Sequence, residues 1–149
     1  MKQEYCTKRR IAVYLVLLNS KKQLLLGKRQ NTGHMDGCWS LLAGHVDEGE
    51  SCLLAAIREA KEECGLNLSP TALELIGAMH HKSGDFDYAN YIFRADISGK
   101  KINNLEPHKC AEWSFFTPHN LPEPMQDYIK FIIKESLNHN TPWIAQYGW

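Results

Sequence analysis

The sequence lacks any hydrophobic run long enough to cross a bilayer as a helix. Its most apolar stretch, "IAVYLVLL" (residues 11–18), falls far short of the roughly 18–20 residues that a span requires. No signal-peptide pattern opens the chain. Neither sign of charge is in excess: 17 basic and 17 acidic residues cancel to a net charge of zero. That balance argues against a nucleic-acid polymer or an anionic membrane as partner. The short "TKRR" (residues 7–10) reads as a solvated strand entry rather than a binding patch. Cysteines are few and unpaired in pattern. Cys6, Cys38, Cys52, Cys64 and Cys110 are odd in number, scattered and without a C-x-x-C pair, so neither a disulfide framework nor a zinc site is indicated. Reduced thiols and a cytoplasmic location are the expectation. With no internal repeat, low-complexity tract or boundary composition, a single domain over residues 1–149 is expected.

What the sequence does contain is an ordinary globular balance, 44% hydrophobic and 23% charged, arranged as alternating β and α patterns. "RIAVYLVLLN" and "KQLLLGKR" share a polar turn and read as a hairpin. About twenty residues dense in Gly, Asn and Asp follow, anchored by Trp39, Leu41, Leu42 and Val46. Such a segment inside a compact domain is expected to be an ordered, functional loop with short strands. Two strands, "LELIGAMHHK" and "DYANYIFRADI", come after a central helix. "AEWSFF" reads as a late strand, and "PEPMQDYIKFIIKESLN" as a closing amphipathic helix. This order implies an α/β class, with a mixed β-sheet sandwiched between helices.

The central helix carries the chemistry. Ser51 can cap its start, and Gly65 stands where a left-handed residue ends a helix. At about 100° per residue, Leu53, Ala56, Ile57, Ala60 and Cys64 share one stripe. Glu59, Glu62 and Glu63 share the adjoining one, at spacings where like charges repel by roughly 0.2–0.5 kcal/mol per pair. A solvated acidic face is one reading. A platform for a hard divalent cation, Mg²⁺ or Mn²⁺, is the other. The glycine-rich approach, the isolated Glu50 and the adjacent Arg58 favour the second.

Gly44 to Leu66, "GHVDEGESCLLAAIREAKEECGL", resembles the Nudix box, G-x5-E-x7-R-E-U-x-E-E-x-G-U with U aliphatic. Gly44, Glu50, Arg58, Glu59, Glu62, Glu63 and Gly65 occupy every fixed position, and Ala60 and Leu66 the aliphatic ones. The resemblance implies the Nudix fold, an α/β/α sandwich. It also implies hydrolysis of a nucleoside diphosphate linked to a further group X. Glu59, Glu62 and Glu63 would be metal ligands, joined by the Gly44 carbonyl. Arg58 and Glu50 would orient those carboxylates. Glu106, and after it Glu112, is the candidate for an additional acid acting as general base or ligand.

Outside the box, "KRQNTGHM" is similar to the MutT branch, the nucleoside triphosphate pyrophosphohydrolases, which would give Arg29 and His34 phosphate-binding roles. Release of a monophosphate and pyrophosphate from a small nucleotide, with Mg²⁺ as cofactor, is therefore expected. The alternatives are a nucleotide sugar or dinucleoside polyphosphate as substrate, or a Nudix-fold nucleotide sensor without catalysis. "LLAG" stands where the family commonly has Pro-Gly-Gly. His80, His81 and Lys82 fall where the ADP-ribose branch usually places a proline. Met125 lies near the position of a base-reading asparagine in some MutT-like enzymes. Phe86, Tyr88, Tyr91 and Trp113 read as core, with stacking on a base as the other reading. The tail "TPWIAQYGW" reads as docked, on its own domain or on a second copy in a homodimer.

Overall fold

A computed structural model describes residues 9–149. Cys6, Thr7 and Lys8 lie outside the described residues. Strand β1 (Arg9–Leu18) runs through the middle of the sheet and explains its construction. Alternate side chains of a strand point to opposite faces, and here both faces are buried. Ala12, Tyr14 and Val16 enter one core, while Val13, Leu15 and Leu17 enter the other. A near-continuous apolar run is what a strand covered on both sides requires.

The remaining elements follow in chain order. Strand β2 (Leu24–Arg29) returns from β1, and β3 (Trp39–Ser40) and β4 (Leu42–His45) lie within the glycine-rich segment. Helix α1 (Cys52–Cys64) leads through a 3-10 turn at Pro70–Ala72 to β5 (Glu74–Ser83) and β6 (Phe86–Asp96). Strand β7 (Cys110–Phe116), helix α2 (Asp127–Asn138) and β8 (Trp143–Tyr147) complete the order. The sheet runs β3-β2-β1-β6-β5-β8, with β4 on β1 and β7 on β2. Strands β1–β6 and β5–β8 pair in parallel and the other pairs are antiparallel. The sheet is thus mixed, as expected. Helix α1 covers one face with Ala55, Ala56, Ala60 and Cys64. Helix α2 covers the other with Ile129, Ile132 and Ile133.

Two expectations shift in detail. The closing helix begins at Asp127 rather than near Pro122, because prolines at 122 and 124 lack the N–H that a helix interior needs. That segment is used: the Trp39 N–H donates to the Pro124 carbonyl at 2.8 Å, and Met125 is buried in the α2-side core. The tail docks on its own sheet as β8, in parallel register from Gly77–Trp143 to His81–Tyr147. Gly77 makes that pairing feasible, since a Cβ there would overlap the Trp143 indole.

Candidate active site

Helix α1 is held at both ends by its own residues. The Ser51 hydroxyl accepts the Leu54 N–H at 3.2 Å. Gly65, at φ 67°, ends the helix in the left-handed region, its N–H directed to the Ala60 and Lys61 carbonyls. Small residues on the buried side let the helix lie close to β4. The contact is so close at Gly44 that a Cβ there would overlap the Glu59 carboxylate. Glu59 is therefore seated directly on the Gly44 backbone, a place that only glycine leaves open.

Arg58 organises the acids around it. Its Nε donates to Glu50 Oε1 at 2.8 Å and its Nη2 to Glu50 Oε2 at 3.0 Å, a two-point fork. Nη1 donates to Glu59 Oε1 at 2.7 Å and to Glu62 Oε2 at 3.2 Å. Nη2 also reaches the His45 carbonyl at 3.0 Å. Glu50 in turn accepts the Asp47 N–H at 3.1 Å. One guanidinium thus ties the approach loop, β4 and α1 together, and its bonds hold the Glu50 carboxyl below the usual range.

Glu63 has a different setting. Burial, with the Glu59 and Glu106 carboxylates nearby, pushes its pKa up to about 8. Burial also raises Glu59, against the lowering influence of Arg58. Glu106 comes from the connection between β6 and β7, which docks by its backbone on the end of α1. The Asn103 N–H donates to the Cys64 carbonyl at 3.0 Å and the Leu105 N–H to the Glu63 carbonyl at 3.1 Å. Lys109 bonds Glu106 at 3.0 Å. Glu112 faces elsewhere. It pairs in register with Lys28, whose ammonium lies over the Trp39 ring, on the sheet face away from α1.

The structure therefore brings Gly44, Glu50, Arg58, Glu59, Glu62, Glu63 and Glu106 into one neighbourhood. Arg29 ends β2, and His34 stands on the loop that follows it. The Arg29 guanidinium donates to the His34 carbonyl at 3.0 Å and to Thr32 Oγ1 at 3.1 Å, so it clasps its own turn. That turn is nevertheless stitched to the Glu106 segment. The Gln30 N–H donates to the Lys109 carbonyl at 2.8 Å, and its side chain to the Pro107 carbonyl at 2.6 Å. Sequence reasoning missed this stitch, along with Lys109 and the His45 carbonyl. The only signal was the Glu106–Lys109 spacing, since backbone contacts leave no residue signature.

A hard cation suits this donor set, which is carboxylate and carbonyl oxygen throughout. Glu63 forms no ion pair among the described residues, and Glu62 is 53% exposed and turned to Arg58. No three acidic, histidine or cysteine side chains among the described residues already surround one point at coordinating distance. The arrangement is a crowd of oxygen donors with a deficit of positive charge, which a divalent cation would relieve.

The family model of the NUDIX domain matches residues 8–135. The chain belongs to the Nudix family. An ADP-ribose pyrophosphatase from Methanocaldococcus jannaschii is 33% identical over 120 residues, covering 78% of this chain and 67% of that protein. A putative 8-oxo-dGTP diphosphatase from Bacillus subtilis is 35% identical over 109 residues, covering 73% and 67%. The crystal structure of a MutT protein from Methanosarcina mazei Go1 shares the fold at a TM-score of 0.76, with 22% identity over 91% of this chain and 99% of that one. The chain is a Nudix hydrolase, a pyrophosphohydrolase, and it shares its fold with MutT proteins. Nudix hydrolases generally use divalent cations and act on nucleoside phosphates. Among the described residues no helix is long and apolar enough to cross a membrane.

Proposed function

We propose that this Nudix hydrolase cleaves a nucleoside triphosphate to the monophosphate and pyrophosphate, with Mg²⁺ as the preferred cation and Mn²⁺ as a substitute. The observation that carries the reading is the crowding of Glu59, Glu63 and Glu106, with Glu59 seated on the Gly44 backbone and held by Arg58. Glu59, Glu62, Glu63 and the Gly44 carbonyl would hold the cation. When bound, it would neutralise phosphate charge and favour ionisation of a water.

The chain's own residues supply the rest. Arg58 fixes Glu59 and Glu62, and its fork to Glu50 keeps it from swinging toward the phosphates. Glu106 is the group assigned to take the water proton, with Lys109 holding its carboxylate in place. The water oxygen bonds to phosphorus as the bridging P–O bond breaks, and pyrophosphate leaves with the bond electrons. Arg29 and His34 are assigned to the phosphate chain, on a turn fastened to the Glu106 segment.

A second reading keeps this chemistry and changes the leaving group to a sugar phosphate. It is favoured by the similarity to the M. jannaschii ADP-ribose pyrophosphatase. A screen of nucleoside triphosphates, ADP-ribose, other nucleotide sugars and dinucleoside polyphosphates decides between them. We expect pyrophosphate release from triphosphates, dependent on Mg²⁺, and a fall of about 10²–10³-fold in kcat for Glu62→Gln, typical of removing an electrostatic element from a reacting centre. Faster cleavage of ADP-ribose selects the second reading. Binding without turnover, or a Glu62→Gln enzyme equal to wild type, overturns both.

A further inference from the structure

The turn that carries His34 and the segment that carries Glu106 meet along one short row of carbonyl oxygens. The Pro107 carbonyl accepts from the Gln30 side chain at 2.6 Å. The His108 carbonyl accepts from the Asn31 side chain at 3.3 Å, and the Lys109 carbonyl from the Gln30 N–H at 2.8 Å. Two consecutive residues thus engage three consecutive carbonyls. The backbone is bent to make this fit. The β2–β7 register shifts between Lys28 and Arg29, and an irregularity of this kind re-aims the residues beside it. Asn31 sits at φ 53°, in the left-handed region that asparagine enters more readily than most residues.

Glu106 stands between this clamp and helix α1. Its own carbonyl accepts the Lys109 N–H at 2.9 Å and the Cys110 N–H at 3.0 Å, which closes the segment into a tight turn. Just ahead of it, the Leu105 N–H donates to the Glu63 carbonyl. One side of the Glu106 turn is therefore anchored to the helix of the acids, and the other to Gln30 and Asn31. Without the second anchor the turn is free to pivot about the first, and the Glu106 carboxylate moves with it. The turn around His34 has bracing of its own. Asp36 accepts the Thr32 N–H at 2.9 Å, the Thr32 hydroxyl at 2.6 Å and the Gly33 N–H at 3.1 Å, while Arg29 holds Thr32 and the His34 carbonyl. The side-chain bonds of the clamp thus matter most on the Glu106 side.

On the reaction proposed above, in which Glu106 takes the water proton, we propose that Gln30 and Asn31 are the positioning residues of Glu106. Their side chains fasten its turn to the turn assigned to the phosphates, so that one rigid unit places the carboxylate and the phosphate chain together. A reacting group needs this kind of support, because a displacement near 1 Å is enough to cost about 10²-fold in rate. The acceptors of the clamp are main-chain oxygens, so the two donor side chains are the part that substitution removes.

The test is steady-state hydrolysis of whichever nucleotide turns over fastest in the screen above, by Gln30→Met combined with Asn31→Gly. Methionine keeps the length of glutamine without its donor, and glycine keeps the left-handed backbone at residue 31. The double variant should lower kcat about 10–100-fold, the scale of a misplaced reacting group, with KM within about twofold of wild type. In a Glu106→Gln background the same two changes should cost no further kcat, because residues that act through one group are not additive. Amide hydrogen exchange at Lys109 and Cys110, read without substrate, should quicken severalfold in the double variant. If that variant does not fold, Gln30→Met alone carries all three measurements. A kcat equal to wild type, a loss confined to KM, an equal loss with and without the Glu106 carboxylate, or unchanged exchange overturns this inference and leaves the proposed reaction standing. Glu106→Gln as active as wild type refutes the assignment of Glu106, and the positioning role falls with it. A wild type that hydrolyses nothing refutes the proposed reaction and the positioning role together.

Discussion

Helices α1 and α2 pack on opposite faces of the same sheet, yet they are built for different purposes. Helix α1 buries alanines and a cysteine, is capped by Ser51, and ends on a left-handed Gly65. Helix α2 buries three isoleucines, and neither end has a side-chain cap. Small residues contribute little apolar area but permit close approach, whereas isoleucine contributes area and fills volume. The difference teaches that α1 is designed for placement of its Arg58 and glutamates. Helix α2 is designed to make the fold stable.

Breaking α2 should therefore cost the most stability and the least chemistry. Ile132 is fully buried against the sheet. Ile132→Ala is expected to destabilise by about 2–5 kcal/mol through lost transfer energy and a residual cavity. Chemical denaturation measures that loss. The folded fraction should keep kcat within about twofold, because the acids sit on the other face.

Overfilling α1 should reverse the pattern. Ala60 is fully buried between Glu59 and Lys61. Ala60→Leu is expected to cost about 1–3 kcal/mol by overpacking, a smaller loss than at Ile132. The added side chain must lift the helix from the sheet and move Glu59 off Gly44. A displacement near 1 Å is enough to cost about 10²-fold in rate. If Ala60→Leu loses stability but keeps kcat, the close approach of α1 is not a catalytic requirement.

The contrast between helices also explains what the residues disclosed unaided. The acids, Arg58, Ser51 and Gly65 sit within one helix and its flanks, where spacing alone places side chains on a face. Strand β1 was equally legible, since its alternation feeds two cores. Glu106 and Glu112 could not be separated in this way. The choice depends on backbone bonds from Asn103 and Leu105 to the end of α1, and on the Lys28–Glu112 register between distant strands. The start of α2 was placed too early although prolines at 122 and 124 already oppose a helix there, and a tertiary bond to Trp39 holds the segment that precedes it.

The smallest expected effect sharpens the comparison at the helix start. Ser51→Ala removes the hydroxyl that accepts the Leu54 N–H, and losing such a cap typically costs about 1 kcal/mol. The Nudix box loop enters α1 at this point, and Glu50, the residue before Ser51, is forked to Arg58. Fraying of the first turn should therefore loosen Glu50 while the Gly65 end, with Glu62 and Glu63, stays in place. The expected signature is a modest fall in thermal midpoint with a loss of severalfold in kcat and little change in KM. Ser51→Asp, which preserves an acceptor at the cap, should restore both. Restored stability without restored kcat would show that the Glu50–Arg58 fork, not the cap, sets the position of the acids.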